Sequence, residues 1–265
     1  MTGMKSGKYE VNGTTLYVEV QGEGLPLLML HGGYCNLRVW DEAAKVLSRS
    51  FQVIRFDHRG YGKSGAITEP FSYYEDIKGI LDLFEVPSAD IAASSFGGAA
   101  ALDFALAYPD RVRRLVLSAP SVYGSRYPLR LTIAGMLDFL RARRIGAEKA
   151  AEKFIRNRYW RYLVPAKADK RDMLKRMYKD NSVFFTGTPS LHQPLQPHAV
   201  NRLEQVTMPV LLIEAGRDLP YNRGVCTMLN DRLPNSVLRL MEDSGHYPHL
   251  EYPAEFAALT ADFLA

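Results

Sequence analysis

The stretch Ala92-Ala-Ser-Ser-Phe-Gly-Gly-Ala99 decides the fold. It continues a short apolar run from Ala89 to Ala93 and opens a small-residue segment, Gly97 to Ala107. That order predicts a strand, a sharp turn and a helix. A serine on such a turn projects its hydroxyl from the sheet edge, where a substrate carbonyl can reach it. Small residues are needed two positions either side, because the strained backbone closely approaches its neighbours. Around Ser95 they are Ala93 and Gly97, so the usual G-x-S-x-G stands here as A-S-S-F-G. The following helix N-terminus favours negative charge developing on a substrate oxygen. A plain N-cap role for Ser94 or Ser95 is the alternative.

The same rhythm extends in both directions. Upstream, Thr15 to Val20 alternates with period two, while Leu25 to Leu30 and Phe51 to Phe56 are more continuously apolar, as strands covered on both faces are. Helices are predicted over Leu37 to Leu47 and Ser72 to Phe84. Downstream, Val112 to Leu117 reads as a strand. From Val122 to Val200 there is no strand pattern; helices are predicted over Leu129 to Arg144, Ala147 to Tyr162 and Asp169 to Lys179. A polar tail with Pro189, Pro194 and Pro197 follows. Alternation resumes with a strand at Pro209 to Ile213, a helix at Tyr221 to Leu233, a strand at Ser236 to Met241 and a helix at Ala254 to Leu264. Strands alternating with helices imply a mostly parallel sheet covered on both faces. The expected division is an α/β core of residues 1–121 and 201–265, with 122–200 inserted as a helical lid.

A chain of 265 residues with 47% hydrophobic and 23% charged residues suits one large domain of ordinary soluble composition. Two cysteines, Cys35 and Cys226, cannot form a disulfide framework, which favours a reducing compartment. The first residues lack the apolar core of a secretory signal, and the apolar run at Leu25 to Leu30 is too short to cross a bilayer. A cytoplasmic, soluble protein is expected. Charge is uneven: residues 122–200 hold 16 Lys or Arg against 6 Asp or Glu, a net +10, leaving −6 elsewhere.

In these landmarks the chain resembles the α/β-hydrolase fold family. His31-Gly-Gly-Tyr34 matches the loop that contributes to the oxyanion hole, and Phe56-Asp-His-Arg-Gly-Tyr-Gly-Lys-Ser64 the turn after the next strand. Ser95 occupies the nucleophile elbow. Met208 to Asp218 looks like the strand and turn that deliver the acid, and Ser244-Gly-His-Tyr-Pro-His-Leu-Glu251 like the loop bearing the histidine. The resemblance implies an eight-stranded, mostly parallel sheet with a helical lid after the sixth strand.

It also implies a catalytic triad in the chain order Ser95, Asp218, His246. His31 and His58 fall in turns that the family uses structurally, His192 and His198 in the insertion, and His249 outside the Gly-His pair. Glu214 rivals Asp218, but it ends the strand, whereas Asp218 lies beyond Gly216 in the turn. The oxyanion hole is expected from the N–H groups of Phe96 and Gly33, or of Tyr34 if the loop is displaced by one residue.

The implied activity is a serine hydrolase that opens a carboxylic ester or lactone through an acyl-enzyme. Carbon–carbon or other acyl hydrolysis on the same scaffold, or a weakly catalytic small-molecule receptor, remain alternatives. No cofactor and no metal are expected, since no Cys/His spacing fits zinc and no phosphate loop is present. The expected partner is a small molecule, without nucleic acid or membrane. The basic insertion suggests an anionic substrate; a solvated helix face explains the same charge. Tyr159, Trp160, Tyr162, Phe184 and Phe185 are candidates to line an apolar pocket, or ordinary packing.

Overall fold

Side chains along the central strands alternate between two hydrophobic clusters, which is why these strands read as continuously apolar. On β3 (Leu25–Leu30), Leu28 and Leu30 enter one cluster while Leu27 and Met29 enter the other. β4 (Phe51–Phe56) and β7 (Val210–Ala215) divide in the same way, with Ile54 opposed to Val53 and Leu212 to Leu211. A strand buried on both faces needs a layer of helices on each side.

The computed structural model describes residues 5–265. Eight strands form one sheet in the order β1-β2-β4-β3-β5-β6-β7-β8. β1 (Lys5–Val11) and β2 (Thr14–Gln21) form an antiparallel pair, and β2 also runs antiparallel to β4. All other pairings, through β5 (Ala89–Ser94), β6 (Val112–Ser118) and β8 (Ser236–Met241), are parallel. β1 has no counterpart among the strands predicted from sequence. It is a mostly exposed edge strand with two lysines among its seven residues, so it lacks the apolar run that marks its neighbours.

The helices are α1 (Asp41–Leu47), α2 (Tyr73–Leu83), α3 (Phe96–Ala107), α8 (Pro220–Arg232), the short α9 (Pro248–Glu251) and α10 (Pro253–Leu264) around the sheet. Between β6 and β7 lie α4 (Leu129–Ile145), α5 (Ala147–Phe154), α6 (Ala168–Asp180) and α7 (Ser182–Thr186). Two predicted helices are shorter than the periodicity suggested. Asn36 accepts from the Arg38 N–H, so residues 37–40 form a tight 3-10 turn before α1. Asn157 likewise accepts from the Tyr159 N–H, and α5 stops at Phe154 instead of continuing to Tyr162. In both places a side-chain oxygen competes with the helical ladder.

The segment between β6 and β7 is packed into the molecule. Leu131, Phe154, Trp160, Leu174, Tyr178 and Phe185 join the cluster that holds Trp40 and Met29. Asn181 makes a polar clasp: its Nδ2 donates to the Cys35 carbonyl at 3.0 Å, and its Oδ1 accepts from the Gly62 N–H at 2.9 Å. Lys170 pairs with Glu42 across the same junction. Both cysteines are buried and unpaired, Cys35 in the loop after β3 and Cys226 in α8. Among the described residues no helix is long and apolar enough to cross a membrane.

Candidate active site

Ser95 takes φ 50° and ψ −118°, a conformation that L-residues rarely adopt. The turn is held from outside: its N–H donates to the Ser118 carbonyl at 3.0 Å, and its carbonyl accepts from Ser121 and Gly98, each at 2.9 Å. Glycine at position 97 has a direct cause. A Cβ there would lie 2.6 Å from the carbonyl oxygens of both Leu30 and His31. The close contact lets α3 start against the end of β3, which brings Ser95 beside the His31-Gly-Gly-Tyr34 loop.

His246 reaches this serine from the loop after β8. Its Nε2 lies 2.8 Å from Ser95 Oγ, and its Nδ1 lies 2.6 Å from Asp218 Oδ2. A charged carboxylate can only accept, so Nδ1 carries the proton and Nε2 is free to accept from the serine hydroxyl. Asp218 is buried; its Oδ1 accepts from the Leu219 N–H and from Asn222 Nδ2, both at 2.7 Å. The structure therefore brings Ser95, Asp218 and His246 together in one hydrogen-bonded line. Glu214, the rival acid, is occupied elsewhere: its carboxylate pairs with Arg223 at 2.6 Å.

The other buried histidines have structural surroundings. Burial lowers His31 to about 4, so it is neutral. Its Nε2 accepts from the His58 N–H at 3.0 Å, which leaves Nδ1–H to donate to the Gly32 carbonyl at 2.8 Å. This tautomer ties the loop after β3 to the end of β4. His58 and His249 are pushed well below the ordinary value by burial, and His249 stacks on Trp40 with ring centroids 4.0 Å apart. His192 is lowered to about 4 by burial and packs between Phe71, Tyr73 and Tyr123. His198 contacts Gln196.

The N–H groups of Gly33 and Phe96 have no hydrogen-bond partner among the described residues, and both residues border the space in front of Ser95. The Gly33 carbonyl accepts from Tyr247 Oη at 2.9 Å, which fixes that peptide. The same trans peptide turns the Tyr34 N–H away from Tyr247. A Cβ on Gly33 would meet nothing within 4 Å, so its smallness leaves open volume and relieves no clash.

Two spaces meet at these donors. A chamber of about 170 Å³ contains Ser95, His246, Ser121, Tyr127, Tyr162 and Asn222. A cavity of about 550 Å³ shares Gly33, Tyr34 and Phe96 with it and runs under α4, along Phe139, Phe184 and Phe185. Of the aromatic candidates in the helical segment, Phe184 and Phe185 line the larger cavity and Tyr162 lines the chamber. Trp160 is buried packing against Tyr34, and Tyr159 borders a separate surface cleft. Tyr162 and Tyr127 share a hydroxyl–hydroxyl contact of 3.1 Å at the chamber wall. Burial raises both phenols, so they remain protonated donors.

Asn222 and Tyr247 were not singled out for this site by sequence. Asn222 lies four residues after Asp218, in the first turn of α8, and that spacing was its only signal. Among the described residues no group of His, Cys, Asp or Glu is arranged to hold a metal ion.

A family model described as the alpha/beta hydrolase fold matches residues 26–253. The chain is 28% identical over 260 residues to a 2-hydroxymuconate semialdehyde hydrolase of Pseudomonas sp. (strain CF600), covering 92% of this chain and 88% of that one. It is 27% identical over 256 residues to a pimeloyl-[acyl-carrier protein] methyl ester esterase of Nitrosomonas europaea, covering 92% and 97%. The enol-lactonase of Burkholderia xenovorans LB400 superposes with a TM-score of 0.80 at 20% identity, covering 97% of this chain and 99% of that one. Strand order, elbow and family match agree: the chain belongs to the α/β hydrolase fold family.

Proposed function

We propose that the protein is a serine hydrolase that opens a carboxylic ester or lactone through an acyl-enzyme at Ser95. The unbroken line Ser95–His246–Asp218, with contacts of 2.8 and 2.6 Å, carries this reading. His246 Nε2 takes the hydroxyl proton as Ser95 Oγ attacks the carbonyl carbon, and Asp218 stabilises the resulting imidazolium. The N–H groups of Gly33 and Phe96 receive the oxyanion; each such donor contributes roughly 10²–10³ in rate. When the tetrahedral species collapses, His246 returns the proton to the leaving oxygen. A water molecule then gives a proton to His246, attacks the acyl carbon and releases the acid, restoring Ser95.

The leaving oxygen must face His246, so the leaving group belongs in the small chamber and the acyl chain in the larger cavity. Residues 122–200 act as the lid that roofs this cavity, over a core formed by 1–121 and 201–265. The names of the relatives, an esterase and a lactonase among them, support the bond type. The test is hydrolysis of short-chain nitrophenyl esters combined with labelling by a fluorophosphonate probe. Ser95→Ala should lower kcat by a factor on the order of 10⁶ and abolish labelling. Labelling mapped to another residue, or turnover that survives the substitution, refutes the assignment.

A further inference from the structure

The larger cavity is mostly apolar and has one charged side chain in its lining. Among its lining residues Arg143 is the only member of the set Asp, Glu, Lys, Arg and His. Its guanidinium lies 5.7 Å from the Phe139 ring centroid, and no carboxylate pairs with it among the described residues. Its neighbour Arg141, by contrast, pairs with Asp138 at 3.2 Å.

Gly135, Phe139 and Arg143 all line the cavity and stand four residues apart on α4, so they form one stripe along the helix. The Gly135 end is beside the oxyanion loop: a Cβ there would lie 3.6 Å from the Tyr34 hydroxyl. Arg143 follows at about 12 Å along the helix axis. The cavity thus has donors for a carbonyl at one end, an aromatic wall, and a free guanidinium at the other.

We propose that Arg143 reads an anionic group at the distal end of the acyl chain. The preferred substrates are then esters of apolar acids that end in a carboxylate. This rests on the acyl-enzyme reading above. A planar guanidinium can hold a carboxylate through two parallel N–H···O bonds, whereas a methyl terminus gains nothing there. The +10 charge of the helical segment would attract any anion wherever its charge sits. A guanidinium at a fixed distance from Ser95 instead demands a minimum chain length.

The experiment pairs nitrophenyl esters of equal chain length, one ending in methyl and one in carboxylate, across a series of increasing length. The readout is the ratio of kcat/KM within each pair, so any loss of folded enzyme cancels. In the wild type the carboxylate should be favoured only once the chain can span the cavity. Arg143→Ala should lower that ratio about tenfold, and Arg143→Glu should invert it. Arg144→Ala removes another exposed charge outside the cavity lining and should leave the ratio intact. A preference that ignores chain length, or that survives both Arg143 substitutions, overturns the proposal while Ser95-dependent turnover stands. Turnover that persists in Ser95→Ala overturns the acyl-enzyme reading, and this proposal with it.

Discussion

At the level of single residues, the acid of the site is held in place more firmly than the base. Asp218 uses one carboxylate oxygen for His246 and gives the other to the Leu219 N–H and to Asn222. Asn222 makes no hydrogen bond to Ser95; its amide positions the carboxylate. Asn222→Ala should therefore lower kcat by about tenfold with KM almost unchanged, because the group that it orients acts in the transition state. A raised KM with kcat intact would contradict that role. Legibility at this scale was uneven. Ser95 and His246 stand in short local patterns, and Asp218 was separable from Glu214 by its place in the turn. Asn222 was invisible because its function depends on which way one helix face points.

Among the elements, α3 carries a concealed charge. Asp103 lies in its middle, with one carboxylate oxygen accepting from the Leu195 N–H at 2.8 Å and the other unpartnered. Burial raises this carboxyl to about 7, against an ordinary 3.8. Between those values the folded protein keeps a proton that the unfolded chain has lost, so Asp103 makes stability fall as pH rises from about 4 through about 7. Asp57, raised to about 6 by burial, acts in the same direction. Asp103→Asn keeps an acceptor for Leu195 and removes the titration. Its melting temperature should gain on the wild type above pH 7 and show little gain near pH 4. Equal gains at both would refute the titration. The elements were legible where both faces of a strand or one face of a helix had to be buried. They were not at β1, an exposed edge, nor at Asn157, where one side-chain oxygen ended a helix that periodicity would have continued.

For the molecule as a whole, a mostly parallel sheet covered on both faces could be inferred from alternation, but the seating of the helical segment could not. Its contacts with the core join residues more than a hundred positions apart, as in the clasp from Asn181 to Cys35 and Gly62. Removing that clasp strands a partly buried N–H and a buried carbonyl. Asn181→Ala should destabilise the protein by about 1–3 kcal/mol, read as a lower midpoint in urea. The same clasp gives the protein an internal reporter. Cys35 lies beneath it, and burial keeps its thiol un-ionised and inert; Cys226 in α8 is pushed up to about 12 for the same reason. Each sulfur can be alkylated only in molecules that have opened around it. Mass-resolved alkylation therefore times two different events on one chain, detachment of the helical segment at Cys35 and loosening of the sheet's flank at Cys226. In Asn181→Ala the first rate should rise well ahead of the second; if both rise in step, the helical segment and the sheet open as a single cooperative body.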